Sequence, residues 1–120
     1  GRSMGGRTAS MLAADGFAAD GLLLLAYPLH PPGQRDKLRA EHLPSITMPV
    51  LCFSGTRDTF CDPGLMKTAL TKVTTRWTMH WVEGADHGFH VPKKTGRTDG
   101  DVMKEIQDET RVWVEGLGRR

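Results

Sequence analysis

Cysteine is scarce in this sequence, which has only Cys52 and Cys61 among 120 residues. Two cysteines are too few for the disulfide framework of a small secreted domain, so we expect free thiols and a reducing, cytoplasmic compartment. Long apolar runs are also missing, since the longest covers only residues 22–27 and is far too short for a membrane span. The sequence therefore predicts neither a disulfide-stabilised nor a membrane-embedded protein.

A large excess of charge of either sign is missing as well. Lys and Arg number 16 against 14 Asp and Glu, giving a formal net charge of +2. This charge is too small to indicate a nucleic acid or an anionic membrane as partner. Internal repeats and low-complexity segments are also absent. The remaining composition, with 38% hydrophobic residues, is typical of a globular chain, and we expect a single domain over residues 1–120.

Three short apolar segments alternate with helical patterns along the chain. Residues 22–27 and 50–54 are continuously apolar, which is typical of parallel strands buried on both faces. Residues 77–82 alternate, which predicts a strand with one less covered face. Helices are predicted around these strands, at residues 5–14, 36–42, 64–73 and from Asp99 or Asp101 to Leu117. The order α-β-α-β-α-β-α favours an α/β fold of three α/β/α layers with a parallel sheet.

The first five residues, Gly1-Arg2-Ser3-Met4-Gly5, match the pattern Gly-x-Ser-x-Gly and precede a predicted helix. In this pattern the serine occupies a strained turn, and neighbouring glycines avoid a clash because they lack Cβ. The turn exposes the Ser3 hydroxyl as a nucleophile and directs the Met4 N–H at a developing oxyanion. Alone the pattern is weak, because an ordinary glycine-rich helix start has the same appearance.

A nucleophilic serine needs a base, and that base needs an acid to orient it. Asp58 follows the second predicted strand and His87 follows the third, so both are expected at the carboxyl edge of the sheet. The chain order Ser3, Asp58, His87 is the order that belongs to this serine pattern, and these residues form the predicted catalytic set. Asp62 is a rival acid, whereas Asp86 is the direct neighbour of His87 and cannot easily reach its Nδ1.

Other residues are assigned to the substrate site or to the core. His30, in a proline-rich loop near the expected site, is predicted to line it together with Phe60 and Phe89. Cys61 is expected to be an exposed loop thiol and Cys52 a core residue. These assignments give the site an apolar rim.

The histidines outside the predicted catalytic set do not indicate a metal site. His42 is expected on a surface helix, and His80 is expected to be packed or hydrogen-bonded within its strand. His80, His87 and His90 lack a supporting carboxylate pattern, so we expect no metal and no cofactor.

Several stretches of the sequence together resemble the C-terminal half of an α/β-hydrolase of the dienelactone-hydrolase-like group. The subgroup they resemble contains testis-expressed protein 30 and NSL complex subunit 3. The resemblance rests on residues 1–5, 27–31, 37–39, 49–51, 54–58 and 80–87. It implies that Ser3 is the nucleophile, Asp58 the orienting acid and His87 the general base. A serine stands where dienelactone hydrolases proper have cysteine, which argues against that particular substrate.

The start of the chain differs from a complete member of that family. It opens on Gly1-Arg2-Ser3 without an initiator methionine or signal peptide, so we expect it to begin within a longer sequence. The resemblance implies that several strands and the second oxyanion-hole donor belong to the preceding half. We therefore expect Ser3 to be poorly held and the strand at residues 22–27 to expose an apolar edge that pairs with another chain.

Three hypotheses about function follow from these observations. The favoured one is a serine hydrolase acting on a small ester or related acyl substrate, with full activity dependent on the N-terminal half. The alternative is a non-catalytic interaction module, because NSL complex subunit 3 is a component of a chromatin-modifying assembly. A fragment without a function of its own is the third.

Overall fold

A computed structural model of the chain describes residues 1–117. Within these residues, three strands form one parallel sheet in the order β1-β2-β3, with β1 at Leu22–Leu25, β2 at Val50–Gly55 and β3 at Trp77–Val82. The α-helices are α1 (Met4–Ala14), α2 (Pro63–Leu70) and α3 (Asp99–Leu117), and short 3-10 turns cover Leu43–Ser45 and Lys93–Thr95. The parallel sheet with packed helices confirms the predicted fold class.

The strands start level with one another, which places their carboxyl ends at one edge of the sheet. Leu22 pairs with Val50, and Val50 pairs with Trp77. The central strand β2 is buried along its whole length, as its continuously apolar sequence predicted. The loops after β1, β2 and β3 therefore lie side by side, which is where parallel sheets place their functional groups.

Residues 1–3 extend the sheet beyond β1. Arg2 forms a parallel bridge with Leu25. The Gly1 ammonium donates to the Leu23 carbonyl at 2.7 Å, the Leu25 N–H donates to the Gly1 carbonyl at 2.8 Å, and the Ser3 N–H donates to the Leu25 carbonyl at 2.7 Å. These bonds cover the edge of β1 at Leu23 and Leu25 and hold Ser3 through the main chain, contrary to the expectation of a poorly held serine. Pairing with another chain stays a prediction. The outer edge open to pairing belongs to residues 1–3.

Two apolar clusters cover the two faces of the sheet. Alternate residues of β2 contribute to them, because successive side chains of a strand point to opposite faces. Val50 and Cys52 belong to the cluster that includes residues of α1 and α2, whereas Leu51 and Phe53 belong to the one that includes residues of α3. This packing gives the three predicted layers.

The prediction of a helix at residues 36–42 is wrong, because this segment consists of turns and irregular chain. The main chain of Arg39 is used for contacts outside the segment: its N–H donates to the Leu29 carbonyl at 2.7 Å, and its carbonyl accepts the Tyr27 hydroxyl. An isolated helix this short is marginal in water, so these two hydrogen bonds decide the local structure.

Helix α3 begins at Asp99, where the sequence predicted, and it continues to Leu117, the last residue that the structure describes. Thr98 and Asp101 form a reciprocal cap, with the Thr98 N–H donating to the Asp101 carboxylate at 2.8 Å and the Asp101 N–H donating to the Thr98 hydroxyl at 3.1 Å. Val102 and Ile106 are buried by the helix. In the part of the chain from residue 1 to residue 117, no helix is long and apolar enough to cross a membrane.

Candidate active site

Ser3 occupies the sharp turn between the strand-like residues 1–2 and helix α1. Its φ is 50°, a left-handed value that is strained for a residue with a side chain. A Cβ on Gly1 would lie 2.6 Å from the Gly5 carbonyl oxygen, and one on Gly6 would lie 3.1 Å from the Gly1 oxygen. A Cβ on Gly5 would meet nothing within 4 Å. Gly1 and Gly6, rather than Gly5, therefore allow the tight turn.

A chain of two hydrogen bonds links the predicted catalytic residues. Ser3 Oγ lies 2.8 Å from His87 Nε2, and His87 Nδ1 lies 2.8 Å from Asp58 Oδ2. The side chain of Asp58 is fully buried, whereas that of His87 is 27% exposed. An imidazole whose Nδ1–H donates to a carboxylate presents the Nε2 lone pair to its other neighbour. The arrangement can therefore accept a proton from the Ser3 hydroxyl.

Gly55, at the end of β2, allows the Asp58 and His87 loops to meet. A Cβ at this position would lie 2.1 Å from the Ala85 carbonyl oxygen, so any side chain would push the two loops apart. The same carbonyl accepts the Arg57 N–H at 2.9 Å. Sequence reasoning gave Gly55 no role, although a glycine directly after a buried strand is the kind of signal that marks such a close approach.

Neither alternative acid contacts the His87 ring. Asp62 caps helix α2, since its Oδ2 accepts the Leu65 N–H at 3.0 Å, and its Oδ1 lies 2.5 Å from the Arg35 guanidinium. Asp86 directs its Oδ1 at main-chain N–H groups of its own loop. Asp58 is therefore the acid that the folded chain brings to His87.

The three residues predicted to line a substrate site lie in different surroundings. The Phe60 ring lies against the His87 imidazole, with centroids 4.2 Å apart and an interplanar angle of 31°. His30 is 2% exposed, and its ring nitrogens lie against main-chain groups, with Nε2 accepting the Asp62 N–H at 3.0 Å. Phe89 is 6% exposed and belongs to the cluster beneath α3. Of the three, Phe60 is in contact with the imidazole.

The Met4 N–H lies at the start of α1, directly after Ser3. As the first amide of the helix it has no intrahelical acceptor, while the next N–H, of Gly5, donates to the Arg2 carbonyl at 2.9 Å. Helix N-termini carry a partial positive charge. The Met4 amide can therefore donate to an oxygen that gains negative charge beside Ser3.

The other histidines with hydrogen-bonded side chains have separate partners. These pairs are His80 with Glu105 at 2.6 Å, His90 with Asp99 at 2.6 Å and His42 with Ser10 at 2.7 Å. The hydrogen bond of His80 agrees with its prediction, whereas the helix expected at His42 is absent. Burial lowers the pKa of His42. Among residues 1–117, no three His, Cys, Asp or Glu side chains are grouped in a way that could hold a metal ion.

Both cysteines are free and fully buried. The expected exposure of Cys61 is therefore wrong, because the loop between β2 and α2 folds this side chain into the core on the α1 and α2 side. Burial raises the pKa of Cys61 to about 12 and also raises that of Cys52. Since the thiolate is the reactive form, neither cysteine is a nucleophile near neutral pH.

The chain belongs to the alpha/beta hydrolase domain family, whose sequence model matches residues 1–115. It is similar in structure to an alpha-beta serine hydrolase homologue from Coxiella burnetii, with a TM-score of 0.66, 19% identity and 92% of this chain covered. It is also similar to the dienelactone hydrolase from Anabaena variabilis, with a TM-score of 0.65, 20% identity and 96% covered. The match to the family model confirms the predicted family, and the two structures share its fold. The narrower subgroup stays a prediction.

A puromycin-hydrolyzing peptidase from Mycobacterium tuberculosis shares the fold, with a TM-score of 0.63 and 20% identity over 98% of this chain. The chain spans 46% of the Coxiella protein, 47% of the Anabaena enzyme and 21% of the peptidase. It therefore corresponds to less than half of each of these relatives.

Proposed function

We propose that this chain carries the nucleophile, base and acid of a serine hydrolase that acts on a small ester or related acyl substrate. The observation that carries the proposal is the pair of 2.8 Å hydrogen bonds from Ser3 through His87 to Asp58. These residues come from three separate turns of an alpha/beta hydrolase domain, and together they form the constellation that acyl transfer requires.

In the proposed reaction, His87 Nε2 takes the Ser3 hydroxyl proton as Oγ attacks the acyl carbonyl carbon. The imidazolium keeps its Nδ1–H on the buried Asp58 carboxylate, which stabilises the positive charge. The Met4 N–H donates to the tetrahedral oxyanion at the positive end of α1. His87 then protonates the leaving alcohol. A water molecule that loses a proton to His87 attacks the acyl-serine, and His87 returns this proton to Ser3 Oγ as the bond between Oγ and the acyl carbon breaks.

The three residues predicted to line the substrate site contribute to it in different ways. Phe60 covers one face of the His87 imidazole and forms the apolar rim. His30 holds the main chain of Phe60 in place, because the main-chain N–H of His30 donates to the Phe60 carbonyl at 3.1 Å. Phe89 packs into the buried cluster beneath α3 and thereby anchors the loop that carries His87.

Full activity is proposed to require a segment equivalent to the N-terminal half of the structural relatives. In hydrolases with the Gly-x-Ser-x-Gly turn, a loop earlier in the fold supplies the second oxyanion donor. Loss of one such donor costs about 10²–10³ in kcat. That segment would pair with the outer edge of residues 1–3 and cover the apolar side chains of Met11 and Leu12, which are 44% and 51% exposed.

Hydrolysis of p-nitrophenyl acetate tests this proposal. We expect slow turnover by the chain that falls to the uncatalysed rate in Ser3→Ala, because the nucleophile is lost. Ser45→Ala is the matched control, since Ser45 is an exposed serine in the turn Leu43–Ser45, and it should hydrolyse the ester at the parent rate. Equal rates for Ser3→Ala and the parent would contradict the proposal, because surface histidines and lysines would then account for the turnover.

A further inference from the structure

The loop that carries His87 is closed by a carboxylate that the proposed mechanism does not use. Asp86 Oδ1 accepts the Gly88 N–H at 3.0 Å and the His90 N–H at 2.9 Å. The Asp86 N–H donates to the His90 carbonyl at 3.0 Å, and the Asp86 carbonyl accepts the Phe89 N–H at 3.0 Å. Asp86 therefore fixes the main chain of residues 88–90, directly after His87, through both its backbone and its side chain.

The rest of this loop is tightly packed around the same contact. A Cβ on Gly88 would lie 3.0 Å from the His90 ring and 3.7 Å from Asp86 Oδ1. Asp99 holds that ring in place, since His90 Nδ1 lies 2.6 Å from Asp99 Oδ2. Phe89 has a φ of 63° and is buried. A loop with this shape has little freedom to readjust once the Asp86 contacts are removed.

We propose that Asp86 is a positioning residue for His87. Its carboxylate acts as an acceptor of two main-chain N–H groups and thereby sets the direction in which the imidazole reaches Asp58 and Ser3. Both hydrogen bonds end on Oδ1 and neither involves the His87 ring, so this role requires a hydrogen-bond acceptor at Oδ1 rather than a negative charge beside the imidazole. The catalytic consequence rests on the proposed function, but the hydrogen bond between His87 and Asp58 is observable without catalysis.

Three substitutions separate the acceptor from the charge. Asp86→Asn keeps an Oδ1 acceptor and removes the charge, Asp86→Ser keeps a weaker acceptor, and Asp86→Ala removes both. Asp20→Ala is the matched control, since Asp20 is an exposed aspartate far along the chain from the His87 loop. A role through charge would make the Asn and Ala variants equally defective, whereas a role through the acceptor makes Asn the rescuing variant.

The first measurement is the downfield proton resonance of the His87 Nδ1–H, assigned by its loss in Asp58→Asn. We expect it to persist in Asp86→Asn and Asp20→Ala and to disappear in Asp86→Ala while the remaining spectrum stays dispersed. The second is the rate of labelling by a fluorophosphonate. Asp86→Asn should react within about threefold of the parent, and Asp86→Ala about 10- to 100-fold more slowly, as expected for a displaced catalytic group.

Two results would overturn the proposal. The first is a parent-like resonance and labelling rate in Asp86→Ala, and the second is an equal loss in Asp86→Asn and Asp86→Ala. If the Ala variant does not fold, Asp86→Asn and Asp86→Ser decide: a resonance that persists in Asp86→Asn and weakens in Asp86→Ser supports the proposal, and a resonance that is lost from a folded Asp86→Asn overturns it. If the parent itself shows no labelling, the proposed function fails, and the resonance still decides the role of Asp86.

Discussion

Among single residues, Gly55 has the strictest steric requirement in the site, because its main chain lies against the carbonyl of Ala85. A methyl group there would overlap that oxygen, with a separation of only 2.1 Å. Gly55→Ala is therefore expected to lower the free energy of unfolding by about 1–3 kcal/mol, as overpacked substitutions do. Urea denaturation measures the loss.

Gly116→Ala is the control for this substitution. Gly116 lies in α3, and a Cβ there meets nothing within 4 Å, so the change should stabilise the chain by up to about 1 kcal/mol through helix propensity. If Gly55→Ala unfolds at the same urea concentration as the parent, the close approach of the Asp58 and His87 loops is not as the structure has it.

The buried thiols give a prediction with a defined pH dependence. The pKa of Cys61 rises from 9.0 to about 12 because of burial, so the thiol is protonated in the folded chain near pH 8. Ellman's reagent should therefore react slowly with the folded chain and rapidly with both cysteines in guanidinium chloride. Rapid reaction of the folded chain would show that the loop between β2 and α2 does not bury Cys61.

The same shift affects stability at high pH. The unfolded chain loses the thiol proton first as the pH rises, so the folded chain binds more protons over this range. The contribution of Cys61 is therefore constant below pH 9 and is lost as the pH rises toward about 12.

The close approach of Ser3, Asp58 and His87 could be predicted because the residue types, their chain order and their place after strands are all visible in the sequence. The role of Gly55 could not, since it depends on a carbonyl 30 residues later in the chain. The burial of Cys61 was missed for a similar reason: a loop's own residues do not show which surface it folds against.

At the scale of secondary structure, Asp62 determines where α2 begins. Its Oδ2 accepts the Leu65 N–H, and Pro63 occupies the first helical position. Asp62→Ala is expected to lower the free energy of unfolding by about 0.5–2 kcal/mol through loss of the cap, whereas Asp62→Asn keeps most of it. Thermal denaturation of the two variants beside the parent measures this. An Asn variant as unstable as the Ala variant would show that the Arg35 ion pair matters instead.

The strands could be predicted from the sequence and the turn segment at residues 36–42 could not. In an alternating α/β pattern, a short apolar run bounded by glycine or proline is best interpreted as a buried strand. A short polar segment has no such restriction, and the hydrogen bonds of Arg39 to Leu29 and Tyr27 decide its structure. The pairing of residues 1–3 with β1 also lay outside prediction, since three residues form no pattern.

At the scale of the whole molecule, one boundary of the described residues 1–117 has no further strand beside it. It consists of the outer edge of residues 1–3 and the exposed face of α1. Met4, Met11 and Leu12 are each about half exposed on that helix, and the chain spans 46% of one hydrolase relative and 47% of another. The site stands at this boundary, because Ser3 joins the outermost strand-like residues to α1. The three hydrogen-bonded side chains lie within residues 1–117, so their assembly can be tested with this chain alone.

The most direct test of the central claim is the intact mass of the chain after treatment with a fluorophosphonate. We expect one covalent adduct on the parent and on Ser45→Ala, located at Ser3 by peptide mapping, and no adduct on Ser3→Ala. This result would show that His87 and Asp58 activate Ser3 in the chain as it stands. A parent chain that stays unmodified, or an adduct that persists in Ser3→Ala, would contradict the claim.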